Sequence, residues 1–550
     1  MEFNLAEVFR GVAAAVPERE AIVWRDRRVT YAQLDERTNR LANYLIAQGL
    51  GAHTERDALA GHESGQDHLA VYLYNGNEYL EAMLGSYKAR VAPFNTNYRY
   101  VAEELRYLLT DSQAKAVVFH SAFADRVGEV RADLPNLTVL LQVDDGSGAP
   151  LLEGAVWYED ALAQSSPDTP AVDPSPDDLY ILYTGGTTGM PKGVLWRQAD
   201  IFVASLGGRA GANEWDSLDA IVETAKNGGG RMLPAAPFMH GAGHWMAFNA
   251  FTGGNTVVIQ DDVVGLDADD LWRTVEREKV SVMLIVGDAF GRPLADQIEK
   301  QPDYDLSSLF AIISGGAPLN STLKDRILAA LPGKMIIDAV GASETGSQMS
   351  NVSAQAGSAS TGTFTPGPGV AIVSEDLSTV LEAGHEETGW LAQQGRVPLG
   401  YLGDAEKTAR TFPVIGGVRY SVPGDRARLT ADNIIELYGR DSVTINSGGE
   451  KIFAEEVEQA LAHHPDVYDV TVAGRPSEKW GAEVVAIVQL RDGVAADDVT
   501  TKALLAEAEK HIARFKLPKA FKFVDHVQRS PSGKADYRWA KAQAAGEAPA

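Results

Sequence analysis

Residues 184–193 read TGGTTGMPKG, a run of glycines and threonines that carries a single cation, Lys192. The residues before it, LYILY (179–183), form a short apolar and aromatic run bounded by turn formers and read as a buried strand. A glycine-rich loop leaving such a strand is a candidate phosphate cradle. Bare backbone lets N–H groups approach an anion, hydroxyls add neutral donors, and a lysine adds the point charge that amides lack. The segment is not a Walker A loop, because Pro191 precedes the lysine and Gly193 follows it where that loop needs Gly-Lys-Ser/Thr. It contains no G-x-G-x-x-G either, so ordinary kinase, GTPase and dinucleotide readings lose support.

Outward from this loop, short apolar runs alternate with helical stretches from LAVYLY (69–74) to about residue 400: AVVFH (116–120), TVVIQ (256–260), SVMLIVG (281–287), AIISGG (311–316) and MIIDAV (335–340). The alternation predicts an α/β domain with largely parallel sheets. After residue 438 short strands restart with two helical stretches, IFAEEVEQALAHH (452–464) and TKALLAEAEKHIARF (501–515). The chain therefore divides into residues 1–439 and a small α+β domain, 440–550. Near the start, Leu34, Leu41, Tyr44 and Leu45 recur at helical spacing with Thr30 as N-cap. The polar stretch 51–68 reads as an exposed loop, and the tail QAAGEAPA (543–550) as disordered.

At 550 residues the chain exceeds one typical core. Its 45% hydrophobic and 23% charged composition is that of a soluble globular protein. No apolar stretch approaches a membrane span, and MEFNLAEVFRG carries an acid where a signal peptide is basic, so the chain reads as cytoplasmic. With no cysteine, any thiol chemistry must use a thiol that a substrate brings. A net charge of −26 argues against a nucleic-acid surface. The late basic residues Lys516, Lys519, Lys522, Arg529 and Arg538 read as a solvated face, Lys534 among them as functional.

YTGGTTGMPKGV (183–194) resembles the phosphate loop of the adenylate-forming enzymes, which include acyl-CoA synthetases, firefly luciferase and nonribosomal peptide adenylation domains. Further motifs follow in that family's order over nearly the whole chain. PFMHGAG (237–243) resembles the acyl-pocket motif, ISGGAPL (313–319) the adenine wall, VGASETG (340–346) the magnesium segment and VPGDRA (422–427) the ribose motif. YGRDSVTINSGGEKIFAEEVE (438–458) resembles the hinge and its sequel, and RSPSGKADY (529–537) the catalytic-lysine loop.

The resemblance implies a large N-terminal domain of mixed, largely parallel sheets with a small mobile C-terminal α+β domain, using ATP, Mg²⁺ and CoA on a small-molecule carboxylate. It assigns catalysis to Lys534, Glu344 and Thr188, the last two also holding the metal. Nucleotide binding falls to Thr184, Gly185, Gly186, Thr187, Thr188, Gly189, Lys192, Gly315, Gly316, Ala317, Ser343, Asp425 and Arg440. Substrate binding falls to His240, Gly241, Gly341 and Ala342, and CoA binding to Ser447, Gly448 and Gly449. A homodimer is a further expectation. Elementary chemistry agrees with these roles: Glu344 follows a small-residue run at a strand's end, Asp425 can accept from both ribose hydroxyls, and Lys534 can stabilise charge growing at the α-phosphate.

Two positions depart from the family pattern: Val340 stands where an aromatic residue stacks on adenine, and Ser442 where the hinge carries Asp or Lys. His240 and His244 invite a zinc reading, but glycines at 241 and 243 argue against a helix there and no third ligand is evident. GASETG has the wrong spacing for a nucleophile elbow. Amino-acid activation needs an aspartate where His240 stands, to pair the substrate ammonium. YTGGTTGMPKGVLWRQADI, PFMHGAGHWMAF and INSGGEKIFAEEVE are similar to the actinobacterial fatty-acyl and steroid side-chain CoA ligases, and the small residues Gly241, Ala242 and Gly243 would leave volume for a bulky apolar chain. The alternatives are an adenylating enzyme for an aryl or amino acid, and a non-catalytic nucleotide-binding relative.

Overall fold

Runs such as AVVFH and LYILY are apolar at almost every position, so each needs a cover on both faces of its sheet. The computed structural model, which describes residues 2–184, 190–447, 450–477, 480–530 and 533–546, meets that need with two large sheets and a helical layer between them. In the first sheet the strands run in the order Gly400–Tyr401, Lys192–Arg197, Leu179–Thr184, Ala92–Asn95, His68–Tyr72, Ala116–His120, Val139–Val143 and Val156–Trp157. All pairings are parallel except the two made by Lys192–Arg197.

The second sheet carries the parallel succession Glu20–Trp24, Thr256–Ile259, Arg231–Pro234, Val282–Ile285, Ala311–Gly315 and Met335–Ala342. From Gly346–Ser353 it turns antiparallel and stays so through Thr363–Pro366, Ile435–Arg440, Asp425–Leu429 and Gly389–Gln394. The alternation read from the sequence therefore holds up to residue 342 and fails beyond it. Links such as 343–345 are too short for the crossover helix that parallel neighbours need.

Leu69, Val71, Tyr180 and Leu182 of the first sheet share one core with Ile22, Val257 and Ile259 of the second. Helices Leu5–Ala15, Tyr31–Ala47, Asn77–Lys88 and Gly241–Thr252 fill the space between. The outer face of the first sheet, through Ala70, Tyr72 and Val117, packs on Ala102–Asp111 and Ala124–Arg131. That of the second packs on Ala268–Glu278, Gly287–Lys300 and Ser321–Ala330. Thr30 caps its helix as expected, in a reciprocal capping box with Gln33. The polar stretch 51–68 is largely surface, but Asp67 and His68 are buried, His68 as the first residue of a strand.

The chain leaves the second sheet at Arg440 and enters a third at Ile445–Ser447. Five strands form this sheet, with Ala454–Ala462 and Asp498–Ala508 on one face through Val457, Leu461 and Leu504. Tyr537–Ala545 covers the other face, packing Ala540 and Ala544 on Ala473, Val485 and Ile487. This third helix corrects the reading of the tail: Gln543 and Ala544 are buried, because a sheet with one bare apolar face recruits even a weakly amphipathic segment. Residues 547–550 lie outside the described residues.

Helix Gly241–Thr252 is a second correction, since its glycines argued against it. Packing overrides propensity there: a Cβ on Gly243 would stand 2.6 Å from the Pro237 carbonyl oxygen and 2.8 Å from that of Ala236, so the absent side chain lets the helix start seat on that strand's exit. Gly243→Val should therefore cost about 1–3 kcal/mol by overpacking and lower the thermal midpoint. An unchanged midpoint would mean that the helix start has room the structure does not show.

Candidate active site

The strand Leu179–Thr184 and its antiparallel neighbour Lys192–Arg197 bring Thr184 opposite Lys192 at the mouth of the glycine-rich loop. Gly185, Gly186, Thr187, Thr188 and Gly189 lie outside the described residues. Lys192 is the first residue of its strand, and its ammonium donates to Asp111 Oδ1 at 3.0 Å, so the loop's cation is already partly neutralised. Tyr183 donates its hydroxyl to the other oxygen of Asp111, at 2.9 Å. Asn95 bonds both backbone groups of Tyr183 and also donates to the Met239 carbonyl at 2.7 Å, which fastens the loop strand to the PFMH segment.

Glu344 sits in the reversal between Met335–Ala342 and Gly346–Ser353, closed by Thr345 N–H donating to the Ala342 carbonyl at 3.1 Å. Glu344 is buried, with Tyr401 donating its hydroxyl to Oε1 at 2.8 Å. Ser421 Oγ donates to the Glu344 carbonyl at 2.5 Å, and Trp196 Nε1 to that of Ser343 at 2.8 Å. Asp425 and Arg440 are cross-strand partners, and the register places Arg440 Nε 2.9 Å from Asp425 Oδ1. That carboxylate raises the Arg440 pKa. Gly315 ends the parallel strand Ala311–Gly315 and Gly316 follows it, and Val340 turns into the apolar cluster of Met349 and Phe364. Ser447 pairs with Gly481 across the third sheet; Gly448 and Gly449 lie outside the described residues.

Lys534 reaches solvent in an open cleft while protein surrounds it at greater distance, and among the described residues it forms no ion pair. Desolvation, then the Arg440 charge, lowers its pKa below that of a free lysine, opposed by Glu344, Asp425 and Glu455. Burial first, then Lys534 and Arg99, pushes His240 down to about 3, so its imidazole is neutral; its buried Nε2 has no partner among the described residues. His240 lies within the field of Lys534, and Lys534 within those of Arg440, Glu344 and Asp425, so the five are neighbours. Glu455 faces the same cleft, its carboxyl raised to about 8 by burial and by Glu458 and Asp425.

His244 is a structural residue. Its Nδ1–H donates to the Phe238 carbonyl at 2.7 Å and its Nε2 meets the Tyr180 hydroxyl, which also accepts from Trp245 Nε1 at 2.8 Å. Both ring nitrogens are thus used, and among the described residues no group of three His, Asp or Glu could hold a metal. Zinc fails on the second count and on the occupied ring of His244, not on the absence of a helix. The glycines do not open acyl volume either: a Cβ on Gly241 would touch the Trp245 ring at 3.1 Å, and Gly243 is packed on backbone. Ala236, Met246, Leu284 and Val286 form a buried apolar cluster, against which Ala242, Phe290 and Ile313 pack. Tyr401, Asn95, Trp196 and Glu455 escaped the sequence reading because a lone residue without periodicity or motif carries no local signal; only their contacts single them out.

The strand pair Leu179–Thr184 and Lys192–Arg197 flanks the glycine-rich segment, and Asp425 and Arg440 form an ion pair on the second sheet. The AMP-binding enzyme family matches residues 9–402 and the AMP-binding enzyme C-terminal domain residues 456–534, and the chain belongs to that family. It is 58% identical over 545 residues to the medium-chain acyl-CoA ligase Mig of Mycobacterium avium, covering 98% of each. To the 3-oxocholest-4-en-26-oate–CoA ligase of Rhodococcus rhodochrous it is 42% identical, over 99% of this chain and 96% of the relative. Among solved structures, the anthranilate CoA ligase AuaEII in complex with anthranoyl-AMP superposes with a TM-score of 0.82 at 21% identity, over 99% and 98% of the two chains. ATP-bound MatB from Rhodopseudomonas palustris gives 0.78 at 23%, over 98% of each. No helix among the described residues is long and apolar enough to cross a membrane.

His244 also sets an acid limit. Its burial lowers its pKa from 6.5 to about 4, so between those values the unfolded chain binds the extra proton. Stability from this group is complete above pH 6.5 and falls as the pH drops, by about 3 kcal/mol once the lower value is passed. Unfolding free energy measured from pH 7 to 4 should decline more steeply in the parent than in His244→Gln.

Proposed function

We propose that this chain is an AMP-forming acyl-CoA ligase, which joins an apolar carboxylic acid to CoA through an acyl-adenylate. The observation that carries the reading is Lys534, which forms no ion pair among the described residues, close to Glu344, Arg440, Asp425 and the neutral His240. In the first half-reaction a carboxylate oxygen attacks the α-phosphorus of ATP and pyrophosphate departs. In the second the CoA thiol, deprotonated, attacks the acyl carbonyl and AMP departs; the chain has no cysteine to compete for the acyl group.

Each residue has a part that its surroundings support. Asp425 accepts from the ribose hydroxyls, held in place by Arg440, which faces the nucleotide. Lys534 keeps its charge for the α-phosphate and the attacking carboxylate because no acid captures it, and so acts electrostatically. His240 offers an uncharged ring nitrogen to the substrate carboxylate, and carries no carboxylate that would hold an amino group. Glu344 and Thr188 would hold Mg²⁺; a single buried carboxylate suits that ion, which takes its remaining ligands from phosphates and water. Bound there, the metal would neutralise phosphate charge.

Gly315, Gly316 and Ala317 would line the adenine, with Ser343 beside the phosphates and Gly341 and Ala342 beside the acyl group. Residues 1–439 form the body and 440–550 a unit that turns about Ser442 between half-reactions, bringing Ser447, Gly448 and Gly449 to the pantetheine of CoA. The apolar cluster of Met246, Leu284 and Val286 favours an aliphatic acid, and the similarity to Mig favours medium chain length. A steroid side-chain acid is the second reading, supported by the 42% relative.

Incubation with ATP, Mg²⁺, CoA and a panel of fatty, steroid side-chain and aryl acids should yield AMP and one class of thioester; a chain that yields no AMP with any acid is a nucleotide-binding relative without activity. Lys534→Ala should slow ATP–pyrophosphate exchange by on the order of a hundredfold or more and leave thioester formation from supplied acyl-adenylate near parent rates. Because the active form of Lys534 is protonated and its pKa is lowered, exchange should fall as the pH rises through a value below that of a free lysine. Lys534→Arg should move that limb to higher pH, and an unmoved limb would assign it to another group.

A further inference from the structure

The Lys534 loop belongs to the third sheet's unit, yet what seats it is a helix of the body. Gly533, at φ +78°, lies flat on helix Gly287–Lys300: a Cβ there would stand 3.1 Å from Ala289 Cβ and 3.3 Å from Val286 Cγ1. One turn along, Arg292 leaves the same helix nearly buried, with Nη2 3.1 Å from Asp288 Oδ2 and 3.3 Å from Asp469 Oδ1. Its guanidinium also lies over the Tyr468 ring at 5.0 Å. Asp469 takes a bidentate grip from Arg529, at 2.5 and 2.9 Å. Arg529 in turn opens the lysine loop, bridging to Ala535, while Ser530 N–H donates to the Lys534 carbonyl at 2.7 Å. The route from Arg292 to Lys534 is thus continuous: Arg292, Asp469, Arg529, then the loop backbone.

We propose that Arg292 is a positioning residue for adenylation, which clamps the Lys534 loop onto helix Gly287–Lys300 through Asp469 and Arg529, with Ala289 as the floor of the seat. The proposal rests on the adenylation role given to Lys534 above. Asp469 and Arg529 lie in the third sheet's unit, so within this chain of contacts the Arg292 contact and the Gly533 seat are the ones that a turn of that unit would break. A residue bound to one orientation alone stabilises the half-reaction of that orientation and no other.

Arg292→Ala and Ala289→Leu, which attack the seat from opposite sides, should each lower ATP–pyrophosphate exchange about tenfold or more while thioester formation from supplied acyl-adenylate stays within about twofold of the parent, since displacing a reacting group by about 1 Å can cost a hundredfold. Arg292→Lys should recover part of the exchange. Limited trypsin digestion should cut after Arg529 or Lys534 faster in both variants than in the parent, a readout that does not depend on what Lys534 does. Equal loss of both half-reactions in both variants would make the contact merely structural and overturn the proposal, as would unchanged cleavage rates. Lys534→Ala run alongside separates the two ideas: normal exchange there sinks the lysine's role and leaves Arg292 to be judged on cleavage, whereas impaired exchange there with normal exchange in Arg292→Ala sinks the clamp alone.

Discussion

The cleft depends on one chain reversal, Ser343-Glu344-Thr345, where the second sheet passes from parallel to antiparallel pairing. Parallel strands deliver ligand-binding ends to one edge, and antiparallel strands carry the chain back to that edge with Asp425 and Arg440 side by side. The reversal itself is held by both sheets. Trp196 and Tyr401 reach it from the first, Ser421 from the second, and between them they fix the Ser343 and Glu344 carbonyls and the Glu344 carboxylate. A buried carboxylate is tolerable only with such partners, and the same bonds aim it.

Charge is distributed in the opposite sense to the whole molecule. The chain carries −26, yet the cleft gathers Lys534, Arg440, Arg99 and Lys192. Burial first, and then neighbouring cations, hold His240 neutral and lower Lys534; Asp425 raises Arg440, and burial, then neighbouring carboxylates, raise Glu455. Glu455 packs against Gly439, whose φ of +104° disfavours a side chain and where a Cβ would stand 2.6 Å from Glu455 Oε2.

Arg529 shows how local reading and tertiary context divide. In the sequence it is one of several late basic residues and reads as a solvated face; in the fold it is the partner of Asp469 and part of the seat of Lys534. The helix at Gly241–Thr252 divides the same way. Glycine propensity opposed it, and the fold of the segment that enters the helix brings the carbonyls of Ala236 and Pro237 so close that they reward the missing side chain.

By itself the sequence determined the α/β class, the strand before the glycine-rich loop and the capped helix after Thr30, and it nominated Lys534, Glu344, Asp425 and Arg440 as a set, because periodicity, caps and motif order are local and survive without coordinates. It could not show the switch to antiparallel pairing after residue 342, the third helix on the small sheet, or the residues that orient the site. Tyr401 lies 57 residues from the carboxylate it serves, and Arg292 177 residues from Asp469. Contacts of that range are decided by which surfaces pack together, a property of the whole chain that no window of sequence contains.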